Sequence, residues 1–269
     1  MGMDDIQDLV ATDGPLKVEF IGAHILLVTL NRPAARNAIN GAIACALERV
    51  VRAVNADPEL RVAILTGAGD GVFCAGADLK EIAAGRVGTL KTADGGFAGF
   101  VNARRNKPWI AAVNGLALAG GCELMLACDL VIAAESAEFA LPEVSRGLIA
   151  LAGGCYRLVR ALPRAVALEM ILTGERLDAG RAYHHGLVNR LVRADAVCQE
   201  AIRVAEKICR NAPVAVQESL NIARQSHDLT DEQLIALGDS ARARLIKTED
   251  FREGPRAFIE RREPRWTGR

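Results

Sequence analysis

Two stretches about fifty residues apart share one internal order. RVAILTG (61–67) is a continuous apolar run ending in glycine. It leads through the glycine-rich GAGDGVFCAGAD into the helical DLKEI. PWIAAVNG (108–115) is a second such run, followed by GLALAGG and the helix-like CELMLACD. A strand that is apolar throughout must be covered on both faces, which suits a parallel sheet with crossover helices. The recurrence lies in architecture and not in a strict sequence repeat. It predicts an α/β chain.

The flanking segments fit that frame. LKVEFIGAHILLVTL (16–30) holds two β-rich runs around a turn at Gly22–His24 and predicts a hairpin. Asn40 is placed to cap a helix whose apolar face carries Ile39, Ile43, Leu47, Val50, Val51 and Val54, with Asp57–Pro58 closing it. DLVIAAESAEFAL (129–141) returns to strand. Beyond Leu141 the chain reads as mainly helical, over 163–173 and 196–210. A further helix opens on a Thr230/Gln233 capping box, and a last one covers 254–263 with Pro255 in its first turn. This tail is too thin for a large core of its own. It is expected to pack on the body or on a neighbouring subunit.

Composition removes several function classes. Lys plus Arg and Asp plus Glu are 33 each, so the basic surplus of a duplex nucleic-acid binder is missing. The seven cysteines form no CxxC pair and read as free thiols in a reducing compartment. No apolar run approaches the ~18 residues of a membrane span. The acidic start, MGMDDIQDLV, lacks a signal-peptide pattern. A soluble cytoplasmic protein is expected.

One residue resists a purely structural account. Glu123 stands in the apolar run GLALAGGCELMLACDL (115–130), where a carboxylate loses hydration at a cost of roughly several kcal/mol unless it is compensated. It lies three residues past Gly120, on the first turn of the predicted helix. If CAGAD (74–78) and LAGGCE (118–123) lie side by side, each turn can aim one backbone N–H at a shared point and form an oxyanion hole. A second acid, Glu143 in FALPEVSRGL, follows a strand and a proline. Read alone, it is a helix-start acid favoured by the dipole. Together the two offer paired carboxylates for acid–base chemistry. His184–His185 read as surface residues, Cys122 reads as packing, no metal-ligand spacing appears, and no Ser–His–Asp motif is present.

At these residues the chain resembles the crotonase, or enoyl-CoA hydratase/isomerase, superfamily over nearly its full length. The landmarks are NRPAARNAI (31–39), RVAILTGAGDGVFCAGADLKEI (61–82), KPWIAAVNGLALAGGCEL (107–124), CDLVIAAESAEFALPEVSRGL (128–148), AGGCYRL (152–158), LTGERLDAGRAYHHGLVNRLV (172–192) and EDFREGPRAFIERR (249–262). The resemblance implies a spiral of repeated ββα units over residues 1–205. It also implies a helical region, 206–269, that builds trimers or hexamers made of two trimers. The substrate it implies is an acyl-CoA thioester, with no metal and no cofactor beyond the coenzyme A carried by the substrate. The oxyanion amides map onto Ala77 and Gly120. The acids map onto Glu123, which activates water, and Glu143, which exchanges the α-proton. Ala75, Asp78, Leu79 and Lys80 map onto the coenzyme A site, with Lys80 toward a phosphate. Phe258 and Arg261 match positions that approach the adenine end from a neighbouring subunit.

Retention of both acids points to hydration in preference to isomerisation, and away from a non-catalytic binding protein on the same fold. The departures Ala34, Ala119 and Ala150 bear on acyl specificity and coenzyme affinity. GGFAGF (95–100), FALPE (139–143) and the ending from 249 are also similar to carnitinyl-CoA dehydratases. A trimethylammonium group calls for aromatic faces or a carboxylate, whereas aromatics make up only 4% of this chain.

Overall fold

A computed structural model describes residues 14–269, so the acidic N-terminal segment lies outside the described residues. The expected hairpin opens the fold. Strands β1 (Leu16–Ile21) and β2 (Ile25–Leu30) pair antiparallel, with Leu16 opposite Leu30 and Ile21 opposite Ile25. Helix α1 (Gly41–Ala56) is capped by Asn40, whose side chain accepts from the Ile43 N–H at 3.0 Å, and it ends at Asp57. Its buried face carries Ile43, Leu47, Val50, Val51 and Val54. Ile39 was expected on that face. It lies before the cap, and its backbone bridges to Ala77 instead.

Each recurrent stretch contains one strand more than its sequence suggests. β3 (Val62–Gly67) is followed by β4 (Gly71–Cys74) and the short α2 (Leu79–Ala83). A small hairpin, β5 (Lys91–Thr92) and β6 (Gly96–Phe97), precedes β7 (Trp109–Val113), β8 (Gly115–Leu118) and α3 (Gly120–Ala127). The segment expected as one strand is two, β9 (Leu130–Ala134) and β10 (Glu138–Ala140), leading into a 3-10 turn, Pro142–Arg146. The glycines that read as loop are strand residues in close pairing. A Cβ on Gly115 would fall 2.1 Å from the Gly71 carbonyl, so the approach of β4 to β8 admits only glycine there.

The repeating unit is therefore ββα. After it come α4 (Gly154–Ala161), α5 (Arg164–Thr173), β11 (Leu177–Asp178), α6 (Ala179–His184), β12 (Arg190–Val192), α7 (Val197–Cys209), α8 (Pro213–Gln225), α9 (Asp231–Leu245) and α10 (Asp250–Glu260). The first strand of each unit joins a six-stranded sheet, ordered β1-β2-β3-β7-β9-β12 and parallel from β2 onward. The second strands form a four-stranded sheet, β11-β10-β8-β4. Each unit thus steps from one sheet to the other, so the strand-to-helix turns after β4 and β8 fall next to each other.

Helix α7 packs across β3, β7 and β9, so residue 205 falls inside a helix that covers the sheet. Helices α8 to α10 bury few side chains. The capping box at Thr230 is present, with Gln233 answering it. Helix α10 begins at Asp250, so Pro255 sits inside it and not in its first turn. The helix tolerates the loss of that N–H. Helix α8 is tied back to the body by Arg224, which donates twice to the Asp129 carboxylate at 2.7 Å each. Asp129 lies two residues past the end of α3 and accepts the Trp109 N–H at 2.8 Å. All seven cysteines are free thiols. Among the described residues no helix is long and apolar enough to cross a membrane.

Candidate active site

The turn after β4 is held rigidly from behind by the segment NRPAARNAI. The Ala75 N–H donates to the Arg36 carbonyl at 3.0 Å, and the Ile39 N–H donates to the Gly76 carbonyl at 2.8 Å. The Asp78 N–H donates to Ile39 at 2.8 Å. The Asp78 side chain accepts from the Lys80 N–H and from the Arg32 guanidinium, each at 3.0 Å. Buried Asn37 fixes the preceding glycine turn through the Ala68 and Val72 carbonyls. Gly76 stands at φ 94°, a region that glycine enters without penalty.

The turn after β8 lies against the first. A Cβ on Gly76 would sit 2.9 Å from the Gly120 nitrogen. Ala119 adopts φ 51° and ψ −127°, the conformation a glycine takes in a type II′ turn. Gly120 then opens α3 without a side-chain cap. Neither the Ala77 nor the Gly120 N–H has an acceptor among the described residues. Both residues line one cavity of about 510 Å³. Two free donors at one cavity, one of them at a helix N-terminus, suit an oxygen that gains negative charge.

Glu123 and Glu143 line the same cavity. Glu123 is 3% exposed, and its Oε1 accepts the Gly154 N–H at 2.9 Å. Burial pushes its carboxyl up to about 7; the Gly154 hydrogen bond opposes this, the Glu143 charge adds to it, and the Ala152 N–H and Arg157 guanidinium oppose it. Burial also raises Glu143, against its own backbone N–H and Arg146. Its Oε2 is buried with no partner among the described residues. The cavity thus holds two carboxyl groups in which burial favours the protonated form.

The enoyl-CoA hydratase/isomerase family model matches residues 21–269. The chain belongs to that family. It is 43% identical to the mevalonyl-coenzyme A hydratase of Aspergillus fumigatus over 254 residues, 93% of each chain. It superposes on an enoyl-CoA hydratase from Mycobacterium tuberculosis with a TM-score of 0.91 at 42% identity, covering 96% of this chain and 100% of that one. A carnitinyl-CoA hydratase structure from Mycobacterium avium matches at 47% identity and TM-score 0.76, with the same coverage.

The structure sorts the residues that the crotonase resemblance named. Ala75, Ala77, Leu79, Gly120, Glu123 and Glu143 come together on the cavity wall. Asp78 does not reach it. It stands behind the wall as the α2 cap and Arg32 partner. Lys80 is exposed and outside the cavity lining. Phe258, 85% exposed, and Arg261 are also outside it. The cations that do line the cavity are Lys91 and Arg146.

Three contributors carried no assigned role in the sequence. Phe97 covers Gly120, since a Cβ there would meet its ring at 2.5 Å. Gly154 holds Glu123. Leu148, Ile149 and Leu151 form an apolar stretch of the cavity wall. The landmarks GGFAGF and AGGCYRL contain the first two, but nothing in their spacing shows which cavity they face. Cys122 is buried with its thiol pushed up by burial, which fits packing. His184 is exposed at the end of α6. Among the described residues no three His, Cys, Asp or Glu side chains converge on a metal position.

Proposed function

We propose that the protein is an enoyl-CoA hydratase, adding water reversibly across the 2,3 double bond of a trans-2-enoyl-CoA thioester. The observation that carries this reading is the meeting of both carboxyls with both free N–H groups in one cavity. The thioester oxygen accepts from Ala77 and Gly120. Ionised Glu123 takes a proton from water as the water oxygen bonds to C3. The displaced electron pair moves to the thioester oxygen, and the two donors stabilise that enolate. One such donor is typically worth roughly 3–4 kcal/mol. Protonated Glu143 then delivers its proton to C2. One proton is taken up and one is given, so the pair exchanges protonation states in each turnover. Burial raises both carboxyls and so favours proton uptake by each, while the assignment of water activation to Glu123 and of the α-proton to Glu143 follows the family resemblance. An isomerase moves a proton between two carbons and needs only one such acid.

The reaction requires no resident cofactor, because coenzyme A arrives with the substrate. In this reading Lys80 meets a coenzyme A phosphate. Phe258 and Arg261 reach the adenine end from a neighbouring subunit of a trimer, alone or stacked as a hexamer. Helices α8 to α10 supply that assembly, and the free thiols suit a cytoplasmic setting.

The second reading is hydration of crotonobetainyl-CoA, supported by the 47% identity to the Mycobacterium avium protein. The cavity favours it less. Phe97 is its one aromatic among the described residues, and the cations Lys91 and Arg146 on its wall offset the attraction of Glu123 and Glu143 for a trimethylammonium group. The deciding experiment follows the conjugated-thioester absorbance of crotonyl-CoA and of crotonobetainyl-CoA. Loss with crotonyl-CoA supports the general hydratase. Loss with crotonobetainyl-CoA alone supports the second reading. A flat trace with both, extended over longer and branched enoyl thioesters, overturns hydration.

A further inference from the structure

We infer that Arg157 is a positioning residue: its guanidinium bridges the Ala152 and Val101 carbonyls and so fixes the turn whose Gly154 N–H holds Glu123. The inference rests on the hydratase reading for its kinetic consequence and on geometry alone for the contact. Nη1 of Arg157 donates to the Ala152 carbonyl at 2.9 Å. Nη2 donates to the Val101 carbonyl at 2.6 Å. Both carbonyls belong to cavity-lining residues. Val101 comes from the segment that follows β6, and Ala152 from the turn that starts α4. One side chain therefore joins two walls that no strand pairing joins.

The guanidinium also lies directly over the turn. A Cβ on Gly153 would fall 2.2 Å from Arg157 Nη1, and Gly153 itself stands at φ 109°. Glycine is needed there to let the arginine in. The next residue, Gly154, gives its N–H to Glu123 at 2.9 Å. A shift of this turn moves the Gly154 hydrogen bond that orients the water-activating acid.

Lysine cannot take over the contact. A planar fork donates in two fixed directions at once, whereas an ammonium on a flexible stem is a point charge. Charge is the second part of the role. Around Glu123 stand Glu143 with Arg146 beside it on the 3-10 turn, Arg157 on α4, and the buried thiol of Cys122. Burial pushes that thiol up, so it stays neutral. Arg157 is the cation among these that favours ionised Glu123.

Full-length Arg157→Met and Arg157→Lys test this through two readouts. The first is kcat, KM and the acid limb of kcat for crotonyl-CoA hydration. The second is an infrared titration of the Glu123 carboxyl band, identified by its loss in Glu123→Gln, which requires no turnover. For Arg157→Met, kcat is expected to fall about 100-fold with KM little changed, because the displaced acid acts in the transition state. Its Glu123 titration is expected to move to higher pH. Arg157→Lys is expected to restore the titration but only part of kcat. A folded Arg157→Met with normal kcat and an unmoved titration overturns the inference. If that variant does not fold, wild-type kcat in Arg157→Lys overturns it. A wild-type protein that hydrates no enoyl thioester sinks the proposed function instead, and the infrared titration still decides the hold on Glu123.

Discussion

The turn at 75–78 leads from β4 into a five-residue helix with no buried residue. The turn at 119–121 leads from β8 into an eight-residue helix that is buried almost throughout. Each helix carries a glutamate in its first turn. Glu81 on α2 is at the surface, where its hydrogen bond to Arg86 at 2.8 Å holds its carboxyl below the usual range. Glu123 on α3 is sealed in, and burial pushes it up to about 7. First-turn glutamates in one repeated architecture thus give an ion pair at the surface and a buried carboxyl facing the cavity. The deciding variable is burial, not residue type. The first turn is the stiffer, with Asp78, Arg32 and the NRPAARNAI backbone behind it, and it contributes a donor only. The second contributes a donor and the acid.

That contrast breaks most sharply at the acid. Glu123→Gln, and likewise Glu143→Gln, should lower kcat by roughly 10²–10⁴-fold with an unchanged circular dichroism spectrum, while Glu81→Gln leaves kcat alone. Near-normal turnover in either active-site variant would remove the two-carboxyl mechanism. Next comes the meeting of the two turns. Gly76→Ala places a methyl 2.9 Å from the Gly120 nitrogen at a φ of 94°. It should cost about 100-fold in kcat by spreading the donors, read as weaker inhibition by an enolate-mimicking thioester.

The pH dependence of stability sharpens the same comparison. The folded Glu123 carboxyl, raised from 4.5 to about 7, binds its proton more tightly than the unfolded one. Its contribution to stability is present in full below 4.5 and is lost as pH rises through about 7. Glu123→Gln should therefore exceed the parent by on the order of 2 kcal/mol in thermal melts near pH 8, and the gap should close in acid. Glu81→Gln should show no such gain. The smallest effect is Ala119→Gly. Relief of the glycine-type backbone should stabilise by about 1 kcal/mol, seen as a raised Tm.

Much of this was legible in the sequence, for physical reasons. Uninterrupted apolar runs can only be buried strands, so β3 and β7 were plain. Asn40 and Thr230 announced their helices through cap chemistry that acts within a few residues. β4 and β8 were hidden because their glycines serve strand contact and not a loop, and that need arises only once Gly71 meets Gly115. Glu123 stood out because charge in an apolar run demands compensation. Its compensator, the Gly154 N–H, is 31 residues away and belongs to the backbone, which carries no residue signal. Asp78 and Lys80 were mapped onto the coenzyme A site by the family resemblance. Neither lines the cavity: Asp78 caps the helix that starts there, and Lys80 is exposed on it.

The Arg224–Asp129 clamp bears on how the chain is made. Its two ends are 95 residues apart. At about 5–20 residues per second, the ribosome needs roughly 5–20 s to travel from one to the other. Throughout that interval Asp129, fixed at the foot of the helix that carries Glu123, lacks its counter-charge. The strands of both recurrent units have been synthesised by then, but the helix that carries Glu123 is anchored at its far end only once residue 224 has been made. A message cut short between codons 155 and 224 would yield a chain with every cavity-lining residue present but without the arginine that clamps the foot of the Glu123 helix.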